Sequence, residues 1–144
     1  MLKAVSIAGY LTMVAGIIGL ALTRRLFSSS AWVIVPQVAA AFLMIWARVT
    51  FGRRSFHLAA NPTEGGLVTW GPYRLIRHPI YCAVCVFTLA GVAAHWSLVA
   101  AVLGGLVVAG ALGRIRCEEY LLLARYPEYS GYAAKSWRLI PYVY

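Results

Sequence analysis

Two short stretches of the sequence carry most of the side chains that could do chemistry. GPYRLIRHPIY, residues 71–81, places two arginines, a histidine and two tyrosines directly before a long apolar run. RIRCEEYLLLARYPEY, residues 114–129, contains three of the four acidic residues in the chain. One stretch could therefore attract an anion and the other a cation, which would suit a ligand that carries both charges.

Local sequence rules suggest how each stretch presents its polar groups. Arg114 and Glu118 are four residues apart, so on a helix they share a face and can pair with each other or with one ligand. Pro79 disfavours a helical conformation at His78 and suits the first turn of a helix that begins there. The N–H groups of that helix end would favour a carboxylate or phosphate beside His78. A surface ion pair and arginines that bind only lipid headgroups remain alternative interpretations.

The composition indicates a membrane protein. Hydrophobic residues make up 62% of the 144 residues, charged residues only 12%, and the mean hydropathy is +0.76. Soluble domains are roughly 45–50% apolar. A formal charge of +9 would suggest nucleic acid as a partner of a soluble protein, but here the basic residues are first topology signals, so no nucleic-acid partner is expected.

The cysteines predict neither a disulfide framework nor a metal site. There are three, an odd number, and Cys82 and Cys85 lie within an apolar run without the second ligand pair that zinc needs. We interpret them as packing residues, and no metal is expected.

Hydropathy predicts an all-α, polytopic membrane protein that forms a single domain over residues 1–144. About four transmembrane helices are expected, at about 4–22, 31–49, 79–95 and 97–117. Residues 79–113 are uncharged throughout, and as one helix they would be roughly 52 Å long, so the run must fold back as a hairpin at His95–Ser97. The glycines of the first helix, Gly9, Gly16 and Gly19, are small surfaces for close helix contact.

Charge then predicts the orientation of the chain. With four spans, the N-terminus, the loop 50–78 and the C-terminal segment 118–144 share one side, which carries eleven of the 13 basic residues. Arg24 and Arg25 lie on the other side. The positive-inside rule places both termini and the loop in the cytoplasm, at the plasma (inner) membrane if the source is prokaryotic. The aromatic C-terminal segment is expected to lie in the headgroup layer.

The hairpin would bring the two polar stretches together at the cytoplasmic face. The start of the third helix with His78 would then face Arg114 and Glu118 at the end of the fourth. A pocket of this mixed charge, with aromatic and lipid-facing walls, suits a zwitterionic or cationic cofactor beside a lipophilic substrate.

Three stretches in order, GGLVTWGPYRLIRHPIY, RIRCEEYLLLARYPEYSGY and RLIP, resemble the isoprenylcysteine carboxyl methyltransferase type of integral-membrane methyltransferase. Relatives of that family include phospholipid N-methyltransferases, and the resemblance covers roughly residues 52–141. It implies S-adenosyl-L-methionine as cofactor at the cytoplasmic face. By position, the resemblance implies these cofactor-binding residues: Gly65, Gly66, Leu67, Val68, Tyr73, His78, Pro79, Ile80, Tyr81 and Glu118.

The resemblance also implies roles in the reaction. Arg114 occupies the position of a substrate-contacting arginine, and we expect it and Glu119, the second glutamate of the pair, to be catalytic. The favoured reaction is carboxyl O-methylation of a lipophilic acceptor, either a small molecule or a prenylated, isoprenylcysteine-like substrate, with membrane lipid as the other partner. The alternatives are N-methylation of a phospholipid or other small lipid, a membrane reductase, and a non-catalytic lipid-binding subunit.

Overall fold

The computed structural model describes residues 2–52 and 66–144, and it is all-helical across them, as predicted. Five helices are present in these ranges: α1 (Leu2–Leu22), α2 (Ala31–Phe51), α3 (Pro79–Ala94), α4 (Leu98–Arg125) and α5 (Tyr129–Ala134). A short 3₁₀ turn, Gly71–Arg74, precedes α3. The extended pairing within the described ranges is a single parallel bridge between Ile76 and Trp137.

Three of these helices, α1, α2 and α4, are long and apolar enough to cross a membrane. α3 has 16 residues, which is shorter than the roughly 20 that span the hydrocarbon core. The membrane character predicted from hydropathy is confirmed, whereas the count of four spans stays a prediction.

The helices pack as two pairs, α1 on α4 and α2 on α3, and the α3–α4 hairpin joins the pairs. Glycine permits the closest of these contacts. A Cβ on Gly9 would lie 3.0 Å from the Gly110 oxygen, and one on Gly16 would lie 2.7 Å from the Leu103 oxygen. The small surfaces expected on the first helix therefore face α4, where only a hydrogen atom fits between the backbones.

The hairpin turns where the sequence places it, between Ala94 and Leu98. The Ser97 hydroxyl caps α4 by accepting from the Ala100 N–H at 3.1 Å. From the α1–α2 loop, Arg25 Nη1 donates to the same hydroxyl at 2.7 Å and to the His95 oxygen at 3.2 Å. These bonds fix the turn at one end of the bundle. Because α3 and α4 form a hairpin, the start of α3 and the C-terminal part of α4 lie together at the other end.

The predicted end of the fourth helix was wrong. We expected it at residue 117, with an interfacial segment over 118–144, but α4 continues to Arg125, so Glu118 and Glu119 are helical. A hydropathy criterion ends the helix at its first charged residues. Here those charges pair with other residues of the protein, so the helix continues past them. The residue after the helix, Tyr126, is extended, as expected before Pro127.

Candidate active site

The residues before α3 are held by backbone pairing with the C-terminal segment. Arg77 N–H donates to the Trp137 oxygen at 2.7 Å, and His78 N–H donates to the Arg138 oxygen at 3.2 Å. His78 is the N-cap of α3 with φ −124° and ψ 60°, outside the helical range, as expected for a residue before proline. The C-terminal segment therefore fixes the backbone position of His78 at the start of α3.

Glu118 lies in a cluster formed by α3 and α4. Its Oε1 accepts a hydrogen bond from the Tyr81 hydroxyl and lies 3.4 Å from Arg114 Nη2, as the i,i+4 spacing predicted. Its Oε2 lies 3.6 Å from His78 Nδ1. The side chain nevertheless keeps 24% of its surface exposed, so part of this carboxylate remains accessible to a ligand.

Glu119 points to a different set of partners. Its Oε1 accepts from Arg77 Nε at 3.1 Å and from Arg138 Nε at 3.0 Å, and its Oε2 lies 2.8 Å from Arg138 Nη2. His78 Nε2 lies 3.4 Å from Glu119 Oε1. Only 11% of the Glu119 side chain is exposed, so this carboxylate chiefly joins the loop before α3, α4 and the C-terminal segment.

Arg114 is buried where α1, α3 and α4 meet. Its Nε donates to the Tyr81 hydroxyl at 2.7 Å, and its Nη1 donates to the backbone carbonyl oxygen of Ser6 at 3.4 Å. The guanidinium also lies 5.3 Å from the centre of the Tyr10 ring. Because a buried charge requires such partners, α1 supplies part of the site although its sequence carries no family signature.

His78 bridges the two carboxylates, and its protonation follows from that position. Burial by itself lowers the pKa of His78, but hydrogen bonds and attraction from Glu118 and Glu119 outweigh burial and raise it above the usual value. The ring is therefore held toward its charged form in the absence of a ligand.

An apolar wall also lies near the start of α3. Val68 and Tyr73 are buried against Ala47 of α2, with Phe51 and Ile80 packed around them. The 3₁₀ turn is tied to α5 through the Tyr132 hydroxyl, which donates to the Tyr73 oxygen at 2.6 Å. Burial raises the pKa of Tyr73 above its usual range and that of Tyr132 to about 12, so both hydroxyls stay neutral.

The predicted site residues thus fall into two connected groups. His78, Tyr81, Arg114, Glu118 and Glu119 form one network, while Val68, Tyr73 and Ile80 form the apolar wall, and Pro79 is buried between them. The remaining two that the structure describes precede the wall: Gly66, with φ +79°, and the half-buried Leu67. Gly65 lies outside the described residues. The roles assigned to all of these residues stay predictions.

Sequence reasoning missed three members of the network. Arg77 was expected to help attract an anion beside His78, whereas Arg138 was counted as a topology charge, although the shortage of acidic residues already implied that the glutamates would attract several arginines. Ser6 and Tyr10 were not considered. Ser6 contacts Arg114 through its backbone carbonyl, for which the residue type gives no signal, and Tyr10 contacts it through its ring. Among the described residues, no group of three or more histidine, cysteine or acidic side chains could hold a metal ion.

The fold and the network together define an all-helical membrane protein with a charged site at one end of its bundle. The profile of the isoprenylcysteine carboxyl methyltransferase family matches residues 32–124, about two thirds of the chain. The chain belongs to that family, and it is accordingly an integral-membrane methyltransferase. No curated protein and no solved structure matches it significantly.

Proposed function

We propose that this protein is an S-adenosyl-L-methionine-dependent methyltransferase that O-methylates the carboxyl group of a lipophilic acceptor. The observation that carries the proposal is the partly exposed Glu118 carboxylate beside buried Arg114, at the N-terminal end of α3. The positively charged cofactor would require a carboxylate, and the acceptor carboxylate would require an arginine.

The residues present fit the cofactor. Glu118 would hold its positive charge, and the first-turn N–H groups of α3, which have no partner within the helix, would favour its carboxylate. The wall formed by Val68, Tyr73 and Ile80 would accept an apolar ring system. When bound, S-adenosyl-L-methionine supplies an electrophilic methyl group on sulfur. Because the reaction needs only alignment and exclusion of water, positioning by this chain's residues is the main contribution.

Arg114 would orient the acceptor carboxylate, since its guanidinium can bind two oxygens in a fixed plane. The Tyr81 hydroxyl, which accepts from Arg114 Nε and donates to Glu118, would keep that plane in place. A carboxylate is already a nucleophile at neutral pH, so no residue has to remove a proton.

The network favours a carboxylate acceptor over an amine. An amine must lose a proton and, with Glu118 assigned to the cofactor, the bases that the described network leaves to take it are His78 and Glu119. The raised pKa of His78 keeps it toward the protonated form, and both Glu119 oxygens are within 3.1 Å of arginine nitrogens. Neither group is therefore well suited to general-base catalysis.

We also propose that the site and both termini face the cytoplasm. The supporting observation is that Arg114, Arg77 and Arg138 meet at one end of the bundle, while Arg25 packs at the other end.

The test is a pair of titrations and turnover measurements on purified protein in lipid nanodiscs. Glu118→Gln should lose cofactor binding by calorimetry, because the amide removes the negative charge and keeps the shape. Arg114→Lys should retain cofactor binding but lose turnover of a lipophilic carboxylic acid with labelled cofactor. If the folded wild type does not bind the cofactor or its demethylated product, the proposal is wrong. Equal, negligible effects of both variants would mean that the site is elsewhere.

A further inference from the structure

Arg114 and Glu118 share one face of α4, and the proposed function gives them opposite tasks. Glu118 has to hold the positive charge of the cofactor, whereas Arg114 has to hold the acceptor carboxylate. Opposite charges four residues apart on a helix pair with each other, and a guanidinium can bind a carboxylate through two parallel hydrogen bonds. A tight pair of this kind would occupy both groups, so the site requires a restraint that keeps Arg114 from closing on Glu118.

The contact between the two groups is a long one. Arg114 Nη2 lies 3.4 Å from Glu118 Oε1, whereas a charge-assisted N–H···O bond is about 2.7–2.9 Å long. The bond from Arg114 Nε to the Tyr81 hydroxyl, by contrast, measures 2.7 Å. The guanidinium is therefore held more closely by a neutral hydroxyl on α3 than by the carboxylate on its own helix.

α1 contacts the same guanidinium through Ser6 and Tyr10. The centre of the Tyr10 ring lies 5.3 Å from the guanidinium carbon, within the roughly 6 Å of a cation–π contact. Ser6, which is fully buried, accepts from Arg114 Nη1 through its backbone oxygen at 3.4 Å. A backbone carbonyl has two lone pairs, so one can serve the helix and the other the arginine. α1 thus offers the arginine one ring and one carbonyl, and neither carries a charge.

Gly9 lets α1 come close enough to make these contacts. A Cβ at Gly9 would lie 3.3 Å from Arg114 Cγ and 3.0 Å from the Gly110 oxygen, so a side chain here would push α1 away from α4. Residues 6, 9 and 10 are three and four positions apart or adjacent, which places them on one side of the helix. The family match begins at residue 32, so this side of α1 lies outside it.

We propose that Tyr10 is a positioning residue that holds the Arg114 guanidinium away from Glu118. This keeps Glu118 available to the cofactor and Arg114 available to the acceptor, and the inference rests on the proposed function. Tyr10 acts through Arg114 alone. Its ring attracts the guanidinium without neutralising it, whereas a carboxylate partner would use the charge that the acceptor needs.

The test is a calorimetric titration of purified protein in lipid nanodiscs with S-adenosyl-L-methionine. Tyr10→Leu releases the guanidinium to pair with Glu118, so cofactor affinity should fall by roughly 2- to 30-fold, the range that a cation–π contact supplies. Tyr10→Phe keeps the ring and should bind the cofactor as wild type does. Leu11→Ala, at the next residue of α1, is 57% exposed and serves as the control that should also match wild type.

A second pair of variants separates positioning from a structural role. Arg114→Gln removes the cation that competes for Glu118, so it should retain cofactor binding, and adding Tyr10→Leu to it should change the affinity no further. A change that merely loosened α1 would weaken cofactor binding equally in both backgrounds. Where Arg114→Gln does not fold, Arg114→Met takes its place, and the contrast between Tyr10→Phe and Tyr10→Leu decides in either case.

Three results would overturn the inference. They are wild-type affinity in Tyr10→Leu, equal losses in Tyr10→Leu and Tyr10→Phe, and the same loss from Tyr10→Leu with and without the arginine. Any of them, together with normal cofactor binding by the wild type, would leave the methyltransferase proposal standing alone. Failure of the folded wild type to bind the cofactor would instead remove the proposed function, and with it the task assigned to Tyr10.

Discussion

Glu118 and Glu119 are adjacent in the chain, yet their surroundings give them different tasks. Glu118 shares Arg114 and Tyr81 and keeps part of its surface open, whereas Glu119 is enclosed by Arg77 and Arg138. Successive helical residues point about 100° apart, so the pair meets different neighbours. Sequence reasoning located both glutamates but could not separate their roles, because the partners of Glu119 lie 42 residues before it and 19 after it.

The first residue-scale prediction concerns Glu119→Gln. This change removes the carboxylate that pairs with Arg77, whose side chain is 9% exposed, and breaking a buried pair costs roughly 3–5 kcal/mol. We expect a clear drop in the thermal unfolding midpoint of the detergent-solubilised protein. Glu128→Gln, at an exposed position, is the control and should leave the midpoint unchanged. If the two variants unfold together, the carboxylate does not hold these segments.

The second residue-scale prediction is a pH dependence from His78 in the ligand-free protein. Its folded pKa is raised from 6.5, so charged His78 stabilises the fold fully below about pH 6.5 and loses that effect as pH rises through the folded pKa. Tyr81 and both glutamates face the ring, while Arg77 and Arg114 pair with those same two glutamates. The midpoint difference between wild type and His78→Gln should therefore be larger at about pH 6 than at about pH 9. A constant difference would show that the ring does not titrate between these carboxylates.

At the scale of elements, the hydrophobic stretches determine where most helices lie, and polar contacts determine where α4 ends. α1 and α2 end within two residues of the predicted bounds, because hydrophobic stretches of this length leave few alternatives. The prediction for α4 was eight residues short, since Glu118 and Glu119 look like the edge of a membrane segment when read without their partners. The pairing of the C-terminal segment with residues 75–78 has no periodic signal and could not be predicted from the sequence.

The contact between α1 and α4 gives an element-scale prediction. A Cβ on Gly110 would lie 2.7 Å from the Met13 nitrogen, so Gly110→Leu must push the helices apart and should cost roughly 1–3 kcal/mol. Separation would also move Arg114, one turn further along α4, from Ser6 and Tyr10. The unfolding midpoint and cofactor binding should both fall.

Gly105→Leu supplies the control for this prediction on the same helix. A Cβ at Gly105 meets nothing within 4 Å, and leucine favours a helix more than glycine does, so this variant should be as stable as wild type or more stable. If Gly110→Leu behaves like Gly105→Leu, α1 and α4 do not pack through their glycines.

At the scale of the whole molecule, the charged network can form only if α1, the start of α3, the C-terminal part of α4 and the C-terminal segment meet at one end of the bundle. The charge count predicts that this end faces the cytoplasm, because moving its arginines across the bilayer would be far less favourable than moving Arg24 and Arg25. Ser29, in the α1–α2 loop, and Ser130, in α5, are both exposed and mark the two ends.

The orientation can be measured with single cysteines in a background where Cys82, Cys85 and Cys117 are replaced by alanine. In intact cells a membrane-impermeant maleimide should label Ser29→Cys, because its loop joins α1 to α2 at the end opposite the site. Ser130→Cys should react only after the membrane is permeabilised, because α5 packs beside the charged network through Tyr132 and Arg77. The reverse pattern would place the site outside, where a cytosolic cofactor could not reach it. Labelling of both positions in intact cells would contradict a chain that crosses the membrane in one orientation.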